Sequence, residues 1–451
     1  MVQICPGLKL QSQLNRIRMN KMLKRGTLGF FVLALVAIGF GCESITETNL
    51  DNDELAIEAL QDGAVIPGRY IVTLGTDGEK AKLEGINYVQ EFRDAVLEAT
   101  NIDRSLITSE YNTALHGFAA NLSEAQLNGL RGDSRVISIE PDRMIVLAPP
   151  CGTPRGGPCP PPDDGDGDDG DDGDGGDDGD GGDDGDDGSG GDGSIIDGAE
   201  VPWGINRVGG AVVYTGNRVA WVLDTGIQLN HPDLNVDGSR GLTVFSSGPD
   251  ANGPDDRNGH GTHVAGTIAA FNNIAGVAAG ATVIPVKVLD RRGSGSVSGV
   301  IAGVDFVAAN ASAGDVANMS LGGGVSSALD NAVVNAASKG ILFALAAGNS
   351  GALASNSSPA RVDHPNTWTI AASDVNDNFA SFSNYGHPTS YAAPGVSVKS
   401  TWISSGYRTI SGTSMSAPHV AGILLVRGGS VGSNGQASPA PNGVRYPIAS
   451  H

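Results

Sequence analysis

The sequence predicts an α/β fold, a mostly parallel sheet with helices on both faces, preceded by a small α+β domain. Two observations predict it. Downstream of Ile195, apolar segments of strand length at 219–223, 283–288, 315–319, 341–346 and 367–372 alternate with helical stretches near 260–270, 297–311, 327–339 and 414–426. That alternation places a parallel sheet between two helical layers. Upstream, strand and helix candidates follow one another between Pro67 and Val146.

Taken from the N-terminus, residues 1–42 read as an export signal. Lys21, Lys24 and Arg25 precede an apolar run from Leu28 to Phe40 that ends in Gly41-Cys42, too short for a comfortable membrane span. Cleavage and release is the expected outcome; a lipid anchor at Cys42 is the alternative. Residues 43–66 are a polar, flexible leader. In 67–147, Tyr70-Ile-Val-Thr-Leu alternates like a strand and Val89, Phe92 and Val96 keep helical spacing. Ser123 with Gln126 caps a second helix, and Val136-Ile-Ser-Ile is a further strand.

Residues 148–194 are Pro-rich and then almost pure Asp and Gly, a composition that buries no apolar area and predicts a solvated spacer. Cys151 and Cys159 flank its start and could close a small disulfide loop in an exported protein. Within the chain's 451 residues and formal charge of -22, the run Asp163–Asp192 carries 16 acidic residues and no basic one, which leaves -6 elsewhere. Such a balance argues against a nucleic-acid partner. Residues 195–426 hold the α/β pattern. From 427 to 451 the chain is an atypical Gly/Ser/Pro-rich tail with little periodicity: either a natural short ending, or the product of a reading frame lost after about Val426, which would leave apolar surface exposed.

Three separated segments carry chemistry. Val219-Ala-Trp-Val-Leu-Asp224 is an apolar strand ending in a carboxylate, and Asn258-Gly-His260-Gly-Thr-His263 opens a helix. Ser411-Gly-Thr-Ser414-Met-Ser-Ala-Pro places a hydroxyl at a helix start, where free backbone amides favour developing negative charge. Together they offer an orienting carboxylate, a general base and a nucleophile. His260 and His263 could be read as metal ligands, but the four-residue histidine interval and intervening glutamate of zinc-protease helices are missing. Ser416 is a rival hydroxyl facing another direction. Phe343-Ala-Leu-Ala-Ala-Gly-Asn349 ends a strand in an amide able to donate to an oxyanion, with the Ser414 amide as second donor.

On these motifs residues 200–426 resemble the subtilisin-like serine proteases, closest to the proteinase K branch, through Asp224-Thr-Gly-Ile, His260-Gly-Thr-His-Val-Ala-Gly-Thr, Ser320-Leu-Gly-Gly, Ala347-Gly-Asn349 and Gly412-Thr-Ser414-Met-Ser-Ala-Pro. Residues 67–147 resemble the inhibitory prodomain of the same family. The resemblance implies a secreted serine endopeptidase made as a zymogen, with Asp224, His260 and Ser414 as triad and Asn349 in the oxyanion hole. It assigns substrate backbone binding to Gly295, Ser296 and Val297 on one edge and to Ser320, Leu321, Gly322 and Gly323 on the other. Ala346 and Ala347 would line an apolar pocket for the residue before the scissile bond. The implied partners are protein or peptide substrates and the chain's own prodomain, on a monomer. The chemistry requires no cofactor. A structural calcium is possible, although Ser390 stands where the family's branch has a ligand aspartate, and Asp363, Asp374 or Asp377 would have to compensate. A catalytically impaired surface binding protein is the competing class. An esterase is a third, but Ser414 lacks the Gly-x-Ser-x-Gly elbow.

Overall fold

The computed structural model describes residues 61–76, 85–147 and 198–451. The export signal, Cys42, the cysteine pair and the Asp/Gly run lie outside them.

The first body is an antiparallel sheet of β1 (Val65–Leu74), β2 (Ile107–Tyr111), β3 (Gly117–Asn121) and β4 (Val136–Val146), in the order β4-β1-β3-β2, with helices α1 (Ile86–Ala99) and α2 (Glu124–Arg131). Its own core is built from Val72, Val96, Phe118, Leu127 and Leu130. Ser123 and Gln126 form the reciprocal capping box that their spacing predicts.

The second body is a ten-stranded sheet. Its central strands are β5 (Ala220–Asp224), β6 (Thr282–Lys287), β8 (Val316–Met319), β9 (Leu342–Ala346) and β10 (Thr367–Ser373), all paired in parallel; β7 (Ser294–Ser296) stands outside that sheet. The period-two alternation of β5 explains why helices are needed on both faces. Trp221 and Leu223 enter one core with α5 (Val297–Asn310) and α6 (Ser327–Ser338). Ala220 and Val222 enter the other with α3 (Trp203–Arg207), α4 (His260–Ala269) and α7 (Thr413–Val426). The predicted strands and helices of this body match within about two residues.

The first body packs onto α5 and α6, and Ile71, Tyr111, Leu115 and Ile145 join the core beneath those helices. Three carboxylates fasten it. Asp142 accepts from Ser298 N (3.0 Å) and Ser298 Oγ (2.6 Å) at the start of α5, with Arg69 3.0 Å away. Glu140 accepts from Ser326 Oγ (2.9 Å) and Ala328 N (3.0 Å) at the start of α6. In the opposite direction Asp305 of α5 accepts from the backbone amides of Asn112, Thr113 and Ala114 at 2.7–3.0 Å. Acids at helix starts and on main-chain amides make charge-assisted bonds, stronger than neutral ones.

Three strands appear where the periodicity gives no signal. β11 (Thr389–Pro394) extends the sheet beside β10, and β12 (Val398–Trp402) forms a hairpin with β13 (Gly406–Ile410). The hairpin turns through Ser404 and Ser405, both left-handed (φ 62° and 55°), without the Gly or Asn that usually marks such a turn.

The segment after Val426 also departs from the expected aperiodic tail. β14 (Gly432–Gln436) pairs antiparallel with β15 (Pro447–Ser450), and β15 joins the main sheet parallel to β11. Tyr446 and Ile448 fill a core with Ala371, Ala392, Ala437 and Ala440. The apolar surface is therefore covered. Strands this short and Gly-rich take their form from the edge they join, which periodicity cannot register.

Tyr446 is buried, stacks beside Phe379 and accepts from Gly386 N at 2.7 Å. Tyr446→Ala is expected to cost about 3–4 kcal/mol of stability, read as a lowered urea midpoint; an unchanged midpoint would show that this segment adds nothing to the fold.

Candidate active site

Asp224 is the last residue of β5 and has no solvent exposure; one oxygen accepts from Thr225 N at 2.7 Å. His260 is the first residue of α4, and its Nδ1 lies 2.8 and 2.9 Å from the two Asp224 oxygens. Close approach fixes the flanking residues. Gly259 adopts φ 113°, and a Cβ there would strike the Trp402 ring; one on Gly261 would strike the Gly226 carbonyl.

Burial pushes the His260 pKa down, but the Asp224 charge and hydrogen bond, with the Asp256 charge, more than offset it. The net shift is upward from 6.5. His263 behaves differently. Its Nε2 sits 3.1 Å from both the Val398 and Arg408 carbonyls, and burial, with the neighbouring His260, pushes it down to about 3. It is a neutral, hydrogen-bonded spacer between α4 and the β12–β13 hairpin, with its donor committed to carbonyls rather than aimed at a metal.

Ser414 is the second residue of α7 and lines the cleft pocket. Its hydroxyl donates to the Ser320 carbonyl at 3.1 Å, while Ser320 Oγ donates to the Ser414 carbonyl at 2.8 Å and accepts from Asn318 Nδ2 at 2.9 Å. Ser416 turns away toward Gly395 in the core. Asn349 follows β9. Its Oδ1 accepts from Thr413 N and Thr413 Oγ1, both at 2.8 Å, which turns the amide nitrogen toward Gly412 and Ser414.

The pocket beside Ser414 is walled by Leu321, Gly322, Gly323, Ala346 and Ala347, with Asn349 at its rim. Among the described residues no charged side chain of the second body lines it. At one edge β7 pairs antiparallel with β4 of the first body: Ser294 with Val146, Gly295 with Ile145, Ser296 with Met144. Leu147 N donates to Gly293 O at 2.9 Å. Ser296 also caps α5 through Gly299 N (3.1 Å), and Val297 turns into that helix and the core beneath it. Ser320 is occupied with Ser414, and Gly323 exchanges backbone bonds with Ser358 (3.0 and 3.2 Å).

Sequence reasoning missed the groups that hold these parts still. Asp256 accepts from Thr225 Oγ1, Asn258 N, Gly259 N, Thr262 N and Thr262 Oγ1 at 2.7–3.0 Å, joining the Asp224 and His260 turns. Buried Lys287 donates to Thr225 O (2.6 Å) and pairs with Asp250 at 3.0 Å. Asn384 steadies the pocket loop, accepting from Ser350 N and Ala352 N and donating to Ala347 O.

The residues considered for calcium do not assemble a site. Ser390 donates to Pro388 O, Asp374 closes a turn on Asn376 and Asn378, Asp377 pairs with Arg207, and Asp363 pairs with His387. Among the described residues no group of three or more His, Cys, Asp or Glu could hold a metal.

Family models agree with this geometry. Residues 217–427 match the subtilase family and residues 69–148 match peptidase inhibitor I9. The chain is 39% identical over 375 residues to alkaline serine exoprotease A of Vibrio alginolyticus, which covers 81% of this chain but 61% of that protein. It is 47% identical over 231 residues to subtilisin Savinase of Lederbergia lenta, covering 49% of this chain and 82% of the relative. It is 35% identical over 425 residues to an extracellular serine proteinase of a Thermus strain, covering 89% of both chains. With paired acid and base, a hydroxyl at a helix start and an inhibitor-like segment over the cleft, the chain belongs to the subtilase family.

Proposed function

We propose that this chain is a serine endopeptidase made as a zymogen, with residues 67–147 as its inhibitory prodomain and 195–451 as its catalytic domain. Two observations carry the reading together: the buried Asp224–His260 pair, and a pocket lined by both Ser414 and the end of β4.

In this reading the Ser414 hydroxyl leaves the Ser320 carbonyl and attacks the carbonyl carbon of the scissile bond while His260 Nε2 takes its proton. Asp224 fixes the ring tautomer through Nδ1 and stabilises the imidazolium that forms. The oxyanion is received by the Ser414 amide and Asn349 Nδ2. His260 then returns the proton to the leaving amine, and the C–N bond breaks to give an ester on Ser414. Water, deprotonated by the same imidazole, hydrolyses that ester and restores the hydroxyl. Every step uses groups of this chain and water alone.

The pocket beside Ala346 and Ala347, to which the second body contributes no charged side chain, supports apolar or aromatic residues before the scissile bond. An extended substrate would pair with Gly295, as Ile145 does. The basic, apolar N-terminal segment supports export, and the Thermus relative is named as extracellular.

Intact mass measured over time on the precursor tests self-activation. Wild type is expected to lose its N-terminal part near residue 147, or near Ile195 after trimming, and then to cleave casein. Ser414→Ala should stay whole. Equal processing of the two would sink the proposal. Asn349→Ala is expected to lower kcat by about 10²–10³ with KM little changed, the range established for a side-chain oxyanion donor in subtilisin itself; an unchanged kcat would remove Asn349 from the site.

His260 must be neutral to act as base, and its pKa is raised above 6.5. Activity should therefore fall as pH drops through a midpoint above 6.5, and Asp256→Asn, by removing a nearby charge, should move that midpoint down. A kcat/KM profile over pH 5–9 checks both; a midpoint unmoved by the substitution would exclude Asp256 as a contributor.

A further inference from the structure

In an extended strand successive backbone amides point to opposite sides. The amides of Ile145 and Leu147 face β7, as the Leu147 N to Gly293 O bond and the Ile145–Gly295 pairing require. Those of Met144 and Val146 therefore face the other wall of the cleft, where Ser320–Gly323 would be expected to receive them.

The structure gives them different partners. Met144 N donates to Ala64 O and Gly63 N donates to Met144 O, both at 2.9 Å. Val146 N donates to Asp62 Oδ1 at 3.0 Å. Arg143 Nη1 donates to Gly63 O at 2.9 Å, fastening the same stretch one residue further back. The Asp62 carboxylate lines the pocket beside Ser414 and lies against Gly323, and Gly63 lies against Gly324. Gly323 meanwhile spends its own N–H and C=O on Ser358.

We propose that Asp62–Ala64, preceding the inhibitor-like segment that begins at residue 69, is a second inhibitory element. It binds in the cleft as a turn leading into β1, between the end of β4 and the Gly323–Gly324 wall, with Asp62 as the group that holds Val146. Such a stretch closes the one hydrogen-bonding edge of the β4 end that β7 leaves open, and it seals the pocket mouth with the only acidic side chain among the described residues that line it. The β4 end is thus gripped from both sides by its own precursor. Release requires the leader to leave as well as β4.

This inference rests on the proteolytic reading of the cleft, and its test is independent of catalysis. Amide hydrogen exchange is followed on the full-length Ser414→Ala precursor, alone and with Asp62→Ala or Asp62→Asn. Asp62 is exposed on its outer side, so both variants should fold, and the Phe343 amide of β9 serves as the internal control. Exchange at Val146 is expected to quicken about fivefold in Asp62→Ala, with Phe343 unchanged. Asp62→Asn, which keeps an acceptor oxygen, should fall between. Val146 exchange in Asp62→Ala equal to that of the parent precursor would overturn the proposal. A parallel quickening at Phe343 would also count against it, because the effect would then be global.

Discussion

A carboxylate with no solvent exposure costs several kcal/mol unless its oxygens are satisfied, and Asp224 is such a group. Its position at the carboxyl end of a central parallel strand is where open α/β sheets gather their ligand-binding groups. The surroundings are organised to meet its demand. Thr225 N takes one oxygen, and His260 Nδ1 lies across both. Asp256 and Lys287 then tie the Thr225 turn to the start of α4 and to β6. The glycines on either side of His260 let the two turns meet without a Cβ between them.

The parts legible in the sequence are those with a strong local signature. Long apolar runs such as 219–223 and 341–346 can hardly be other than buried strands, and the helices between them keep their periodicity because one face of each is packed. Asp224, His260, Ser414 and Asn349 stood out because each ends or opens such an element. Lys287 was illegible for the opposite reason. A lysine near the end of an apolar strand gives no sign of a buried partner, and Asp250 is distant in sequence, in a short 3-10 helix. Asp256 looked like one more polar residue in the turn Asp255-Asp256-Arg257-Asn258. The strands β14 and β15 carry too little hydrophobic pattern to be seen without the edge of β11 that orders them.

The joint between the two bodies follows a consistent rule. The first body sends Glu140 and Asp142 to free backbone amides and serine hydroxyls at two helix starts, and the second returns Asp305 to the amides of a turn. Each carboxylate answers donors that secondary structure leaves unfilled at its ends. Apolar contact beneath, through Ile71, Tyr111 and Leu115, supplies the area, while the carboxylates set the orientation.

Asp305 illustrates what such a joint does and does not distinguish. It grips the turn at Asn112–Ala114 through main-chain N–H groups alone, and almost any residue supplies the same donors. Recognition there is of backbone shape and is indifferent to side-chain identity. What constrains the turn's sequence is instead its other contacts, the burial of Ala114 and the bond from Arg93 to Asn112. Inhibitory segments borrowed from divergent relatives would meet the same cradle and present it with the same atoms.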